Sequence, residues 1–236
     1  MSSSPYRDGG VPYAVRRSSR ARYARIEVDA DGVRVVVPER MSMSEVAPFV
    51  AGKQRWIERT LRRYRQAEIE APLVELVDGG SVPYLGEELT LRVRVEPGRV
   101  RAHVARRGGV LRVAVGSSGR AAVRDALERW YRRRARIEVG ERLDDATARA
   151  GTDYSSLSIR GQRTRWASCS SHGAMSFNWR LLLAPIEVLD YVVEHEVAHL
   201  EVLGHSRRFW SLVERRCPDY RRHERWLRRY GPTLRL

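Results

Sequence analysis

Residues 185–205 read PIEVLDYVVEHEVAHLEVLGH and carry the clearest chemical pattern in the chain. Pro185 suits the first turn of a helix, where its missing N–H has no intrahelical partner to lose. Apolar residues then recur at intervals of three and four along one stripe: Ile186, Leu189, Val193, Val197 and Leu200. The stretch is therefore predicted to be an amphipathic helix with one buried face.

Two histidines and a glutamate stand on this helix in the pattern His195-Glu196-Val197-Ala198-His199. Residues four apart lie one turn above each other, so His195 and His199 can share one cation, about 2.0–2.1 Å from each nitrogen. Glu196 is rotated from His195 by about 100°, which places its carboxylate beside the ion. The pattern predicts one Zn²⁺ ion, with Glu196 as the general base for a zinc-bound water.

A catalytic zinc usually takes three protein ligands, and His205 is the strongest candidate for the third. Six residues of continuous helix would turn His205 away from His199 by about 240°, so the helix has to end before it. Gly204 is a suitable residue for that break, and Ser206 can cap a new helix. Glu214, on that following helix, is the alternative third ligand.

Upstream of this helix the chain alternates between strand and helix patterns, and the predicted fold class is α+β. Residues 1–20, rich in Ser, Gly, Pro and Arg, are predicted to form a flexible tail. A β-rich domain is predicted over residues 21–118. It begins with a hairpin that turns at Asp31-Gly32 and contains one long helix from the N-cap Ser44 to about Ala67. Residues 119–236, after the sequence Ser-Ser-Gly, are predicted to form the domain that carries the metal.

The chain is strongly basic, since 44 Lys and Arg residues against 29 Asp and Glu residues give a formal net charge of +15. Lys53 is the only lysine, a bias consistent with the coding preference of a GC-rich genome. Arginine-rich stretches at 132–136 and 221–229 can bind phosphates, so DNA association is a secondary expectation. A charged run is more often a solvated face, and no base-reading motif accompanies these stretches.

Two cysteines, Cys169 and Cys217, are too few for a disulfide framework, and the N-terminal sequence has no apolar stretch of the secretory type. No run of about 18 apolar residues occurs, so we expect no membrane span. The expected location is the cytoplasm.

Three polar or amphipathic residues near the predicted site are candidates for stabilising an oxyanion or orienting a ligand: Arg165, Asn178 and Tyr191. The plainer interpretation of each is a hydrogen bond within the fold. His223, in a polar helix near the C-terminus, is predicted to lie at the surface.

Blocks around the histidine motif closely resemble the YgjP-like metallopeptidase family, predicted metal-dependent hydrolases related to the SprT-like and WLM-type zinc proteases. These blocks are WASC at 166–169, FNWRL at 177–181, HSRRFW at 205–210 and CPDYRRHERWL at 217–227. The resemblance extends from Tyr23 to about Trp226. Ala167 stands where the family usually has glycine, and Val197 where it often has leucine, but neither is an expected ligand.

The resemblance implies a zincin-like catalytic domain, in which a small sheet packs on the HExxH helix and His195, His199 and His205 bind zinc. It also implies peptidase activity. Together with the role predicted for Glu196, this gives the leading hypothesis, cleavage of a protein or peptide substrate by a water that Glu196 activates. Two alternatives stay open: a hydrolase of another amide, and a nucleic-acid-associated protein, acting for example on DNA-bound proteins, in which zinc is mainly structural. A closed structural site would require a fourth ligand, which the motif offers nearby only through Glu196.

Overall fold

The computed structural model describes residues 10–29, 32–70, 74–162 and 165–236. The mixed α+β class predicted from the sequence is confirmed, with six α-helices and three small sheets in the described residues. Contacts between residues divide the chain into two compact units, Met1–Ala71 and Pro72–Leu236. None of the described helices combines the length and the apolar run that crossing a membrane requires.

The first unit is a three-stranded sheet with two helices. Its elements are β1 (Tyr13–Ser18), β2 (Arg25–Asp29), β3 (Gly32–Pro38), α1 (Met43–Ala51) and α2 (Gln54–Glu70). The central strand β3 pairs parallel with β1 and antiparallel with β2. Alternate valines of β3 pack with apolar side chains of α1 and α2 in one core: Val33, Val35, Val37, Val46, Val50 and Ile57.

Three predictions for this unit differ from the structure or fall partly on residues that it does not describe. The tail predicted for residues 1–20 contains β1, whose Tyr13 is buried, while residues 1–9 lie outside the described residues. The two strands of the predicted hairpin pair as expected, but Asp31 of its turn also lies outside them. The single helix predicted from Ser44 is instead α1, with Ser42 as its N-cap, followed by α2 after a break at Gly52. Glycine is a weak helix former, which explains the break.

In residues 74–162 and 165–236, the second unit has two sheets and four α-helices. Its first sheet has the strands β4 (Ser81–Tyr84), β5 (Glu87–Val95), β6 (His103–Arg107) and β7 (Val110–Val115), in the order β4-β5-β7-β6. After α3 (Arg120–Ala150), the second sheet has β8 (Ser156–Arg160), β9 (Ala167–Cys169) and β10 (Ala174–Asn178), in the order β8-β10-β9. A 3₁₀-helix (Trp179–Leu183) leads to α4 (Ile186–Glu201), α5 (Arg207–Arg216) and α6 (Tyr220–Tyr230).

One continuous core runs through this second unit, and α3 lies at its centre. Residues of the first sheet, of α3 and of α4 belong to a single buried cluster, among them Leu89, Leu111, Leu127, Leu143 and Leu189. The observed division of the chain at 71–72 therefore differs from the boundary expected near 118. The Ser-Ser-Gly sequence at 117–119 is a turn between β7 and α3 rather than a link between separate cores.

Ion pairs hold α4 against its neighbours. Arg142 and Arg149 of α3 bind Asp190 and Glu194 of α4, at 2.8 and 2.6 Å between nitrogen and oxygen. Each pair has one exposed partner, Asp190 in the first and Arg149 in the second, so each contributes at most about 1 kcal/mol. Their main consequence is geometric, because they fix the position of α4 along α3, while β9 contacts α4 from the second sheet.

Candidate metal centre

The structure brings together the three histidines that the sequence analysis singled out. His195 and His199 project from α4, and His205 lies in the turn after it. One ring nitrogen from each lies within 4.8 Å of the others, and the Nε2 atoms of His195 and His205 are 3.2 Å apart. Two nitrogens that bind one zinc tetrahedrally at 2.0–2.1 Å stand about 3.3 Å apart. The spacing therefore fits one shared ion.

The turn that places His205 begins earlier than predicted. Helix α4 ends at Glu201, and Val202 already has an extended backbone, with φ −134° and ψ 104°. Gly204 then adopts a left-handed conformation with φ +78°. Ser206 caps α5 by accepting a hydrogen bond from the backbone N–H of Phe209. The helix thus ends before His205, as the rotation argument required, although the break precedes Gly204.

Replacing Gly204 with alanine is expected to lower the free energy of unfolding by about 1 kcal/mol, because a side chain disfavours left-handed backbone. A Cβ at this position would meet no atom within 4 Å, so the cost comes from the backbone alone. Chemical denaturation measures it.

Gly109→Ala is the matched control, since its Cβ also meets nothing within 4 Å and its φ is not in the left-handed range. We expect the control to unfold like the wild type. Equal unfolding free energies for Gly204→Ala and wild type would show that the left-handed turn is not needed.

Burial favours the neutral form of the two imidazoles on α4, His195 and His199. Burial first, and then the neighbouring His199 and His205, lower the pKa of His195 to about 3. Burial likewise lowers the pKa of His199, whose Nδ1 lies 3.3 Å from the carbonyl oxygen of Val202. Neutral imidazole is the form that binds metal ions, and the carbonyl contact of Nδ1 leaves Nε2 of His199 available as the ligand atom.

Glu196 is buried, with 6% of its surface exposed, and it lies beside β9. Its carboxylate accepts a hydrogen bond from the backbone N–H of Cys169, while burial raises its pKa to about 7. Ser170 donates its N–H to Ala174 at the end of β10, and alternate peptide groups of a strand face opposite edges. The N–H of Cys169 therefore points away from β10, and it reaches Glu196 from the free edge of the sheet.

Tyr191 and Asn178, two of the residues predicted to stabilise an oxyanion or orient a ligand, lie in different surroundings. Tyr191 lies beside His195, with ring centroids 5.9 Å apart. The buried Asn178 donates to the carbonyls of Gln162 and Arg165 and accepts from the N–H of Arg180, so its amide is committed to the backbone.

Arg165 and Glu214 both lie at the surface. Arg165 is exposed, and its guanidinium forms no hydrogen bond or cation–π contact with the histidines in the described part of the chain. Glu214 is exposed on α5 and does not belong to the histidine cluster found among the described residues. The geometry therefore favours His205 over Glu214.

Two aromatic side chains near the histidines, His223 and Phe209, were not identified from the sequence. His223 of α6, expected at the surface, is half-buried and stacks on Tyr191 with ring centroids 6.3 Å apart. Phe209 of α5 is fully buried and touches all three histidine rings. The recurrence of Tyr220, His223 and Leu227 at helical spacing could have placed His223 on the inner face of α6.

The donor set suits a catalytic zinc rather than a closed structural site. Three imidazole nitrogens converge, and among the described residues no fourth histidine, cysteine or carboxylate joins the cluster. Nδ1 of His195 is buried and has no hydrogen-bond partner in that part of the chain, so Nε2 is the atom aimed at the shared centre. Three protein ligands with an open position define the catalytic class.

The match to a protein-family model agrees with a metal-dependent peptidase. A family model described as YgjP-like, metallopeptidase domain, matches residues 22–230. Two solved structures match parts of the chain. The metallopeptidase zymogen of Pyrococcus abyssi abylysin is 26% identical, with a TM-score of 0.33, over 38% of this chain and 91% of that one. The zymogen of Methanocaldococcus jannaschii jannalysin is 15% identical, with a TM-score of 0.33, over 37% and 94%. No curated protein matches.

Proposed function

This chain belongs to the family of YgjP-like metallopeptidase domains, and we propose that it is a zincin-type peptidase that binds one zinc ion through His195, His199 and His205. The observation that carries the proposal is the convergence of three ring nitrogens within 4.8 Å, beside a buried carboxylate. When bound, zinc supplies Lewis-acid chemistry, lowering the pKa of water and polarising a carbonyl.

Glu196 moves the proton in this proposal. One carboxylate oxygen accepts a proton from the water that attacks the scissile carbonyl carbon, and later passes it to the nitrogen of the leaving amine. The C–O bond forms as the water loses its proton, and the C–N bond breaks as the amine gains it. The hydrogen bond from Cys169 holds the carboxylate in place for both transfers.

Tyr191 is the candidate for stabilising the oxyanion. Its ring lies beside His195, and burial raises its pKa, so the phenol keeps its proton as a hydrogen-bond donor. Arg165 and Asn178 are less suited to this role, since one is exposed and the other is bound to the backbone.

The free edge of β9 gives the substrate a place to bind. Ala167 stands two residues before Cys169, so its N–H and C=O also face away from β10. An extended peptide can add to such an edge through main-chain hydrogen bonds. We propose that the substrate is an extended segment of protein or peptide, and we therefore expect peptide bonds to be cleaved in preference to other amides.

The alternative of a nucleic-acid-associated protein with structural zinc has less support. It needs a fourth ligand, and the histidine cluster in the described residues has three members. DNA association through the arginine-rich helices remains a separate prediction, which salt-dependent binding in the presence of a chelator would test.

The proposed function predicts about one zinc per purified chain and cleavage of peptides from an unbiased library. A chelator should abolish cleavage, and added zinc should restore it. Metal analysis and mass spectrometry of the library measure both. Cleavage that survives complete removal of metal, or hydrolysis restricted to non-peptide amides, would overturn the proposal.

A further inference from the structure

Phe209 is a common neighbour of all three candidate ligands. Its ring centroid lies 4.9 Å from that of His195, 4.3 Å from that of His199 and 4.9 Å from that of His205. The phenyl ring is stacked on His199, with 22° between the planes, and meets the other two edge to face at 75° and 73°. The side chain has no exposed surface. The three imidazoles therefore share one buried aromatic support.

The position of Phe209 is itself fixed by the segment that supplies the third histidine. Its backbone N–H donates to Oγ of Ser206, the N-cap of α5, at 3.3 Å. His205 precedes that cap directly, so the cap and the phenyl ring set the start of α5 together. A shift of Phe209 would consequently move His205 relative to the two histidines on α4.

The hydrogen bonds that usually orient metal-binding histidines are only partly present here. Such a histidine normally donates its second ring N–H to a carboxylate or a carbonyl, which fixes the ring plane. His199 has a partner of this kind in the carbonyl of Val202. Nδ1 of His195 is buried without a hydrogen-bond partner in the described part of the chain. The orientation of the His195 ring must come from packing.

Aromatic rings supply that packing around His195. Phe209, Tyr191 and Trp210 surround it with centroid distances of 4.9, 5.9 and 5.7 Å. Tyr191 and Trp210 are not in ring contact with His199 in the described residues, whereas Phe209 is. Aromatic pairs prefer offset or edge-to-face geometry, so a flat ring restricts its neighbours in a way that an aliphatic side chain does not.

We propose that Phe209 is a positioning residue that orients the three imidazoles for metal binding and thereby sets zinc affinity and coordination geometry. The inference rests on the metal-binding part of the proposed function and is independent of whether peptides are cleaved. It assigns to a buried aromatic side chain the role that hydrogen bonds usually have around such ligands.

Phe209→Leu tests this role, because leucine remains apolar and removes the flat ring. Zinc dissociation constants, measured by competition with a chelating dye, should rise by about ten- to a hundredfold, the range seen when groups that orient metal ligands are lost. The visible absorption spectrum of the cobalt-substituted protein should also change, because its bands report the arrangement of the ligands. Phe209→Met, equally apolar and unbranched, serves if the leucine variant does not fold.

Phe177→Leu is the matched control. Phe177 of β10 is just as fully buried, and it has no ring contact with the histidines in the described residues. The control should lose stability but keep the zinc affinity and the cobalt spectrum of the wild type. Equal affinities and spectra for the Phe209 variants and wild type would overturn the inference, as would an equal loss in the control. A wild type that binds no zinc would instead refute the proposed function.

Discussion

Replacing Glu196 with glutamine is expected to leave zinc bound and to lower kcat for peptide cleavage by about 10²–10⁴-fold, the usual contribution of a general acid–base group. The amide has nearly the shape of the carboxylate, and its oxygen can still accept the N–H of Cys169. It cannot take a proton from the attacking water. Because binding should change less than the proton transfer, KM should stay close to that of the wild type.

Glu194→Gln is the control for this prediction. Glu194 lies on the same helix, is also buried, and pairs with the partly exposed Arg149 instead of facing the histidines. We expect kcat within a few-fold of wild type and a small loss of stability. If Glu196→Gln cleaved as fast as wild type while retaining zinc, Glu196 would not be the base. Loss of zinc from that variant would instead make Glu196 a ligand.

The local geometry of the metal centre followed from the sequence because it depends on neighbours in the chain. The spacing of His195 and His199 fixes their relative position on any helix, and the apolar stripe predicted that helix, now α4. The rotation argument also required the helix to end before His205, and it does. Their role as ligands stays a prediction.

Strand β1 shows why other parts of the fold could not be predicted from the sequence. Its sequence YAVRRS has little alternation, and it is a strand because Tyr13–Ser18 pairs with β3, about twenty residues further along. Parallel pairing of this kind leaves no turn signal in the sequence. The boundary between the two units could not be predicted because it also depends on contacts between distant residues. Residues on each side of 118 share one core, and this follows only from the packing of α3 against both sheets.

The surroundings of the histidines also depend on distant elements. Cys169 reaches Glu196 from β9, and His223 reaches Tyr191 from α6. Phe209 is close in sequence to His205, but its contact with the rings on α4 depends on how α5 folds back. Periodicity can place such residues on a buried face, but it cannot say which side chain they touch.

Replacing His205 with alanine tests the identity of the third ligand. Binding of a structural zinc by four protein ligands contributes about 10–16 kcal/mol, so one ligand contributes on the order of 3 kcal/mol. His205→Ala should therefore raise the zinc dissociation constant by at least about a hundredfold. The purified variant should contain substoichiometric zinc and cleave peptides correspondingly slowly.

Glu214→Gln is the matched comparison, since Glu214 is the rival ligand and lies exposed on α5, outside the histidine cluster. We expect it to retain about one zinc per chain and wild-type cleavage. Metal analysis and circular dichroism of both variants, prepared in parallel, separate loss of the ion from loss of the fold. Stoichiometric zinc in His205→Ala together with loss of zinc from Glu214→Gln would transfer the third ligand to Glu214. The turn at Gly204 would then serve only to connect α4 with α5.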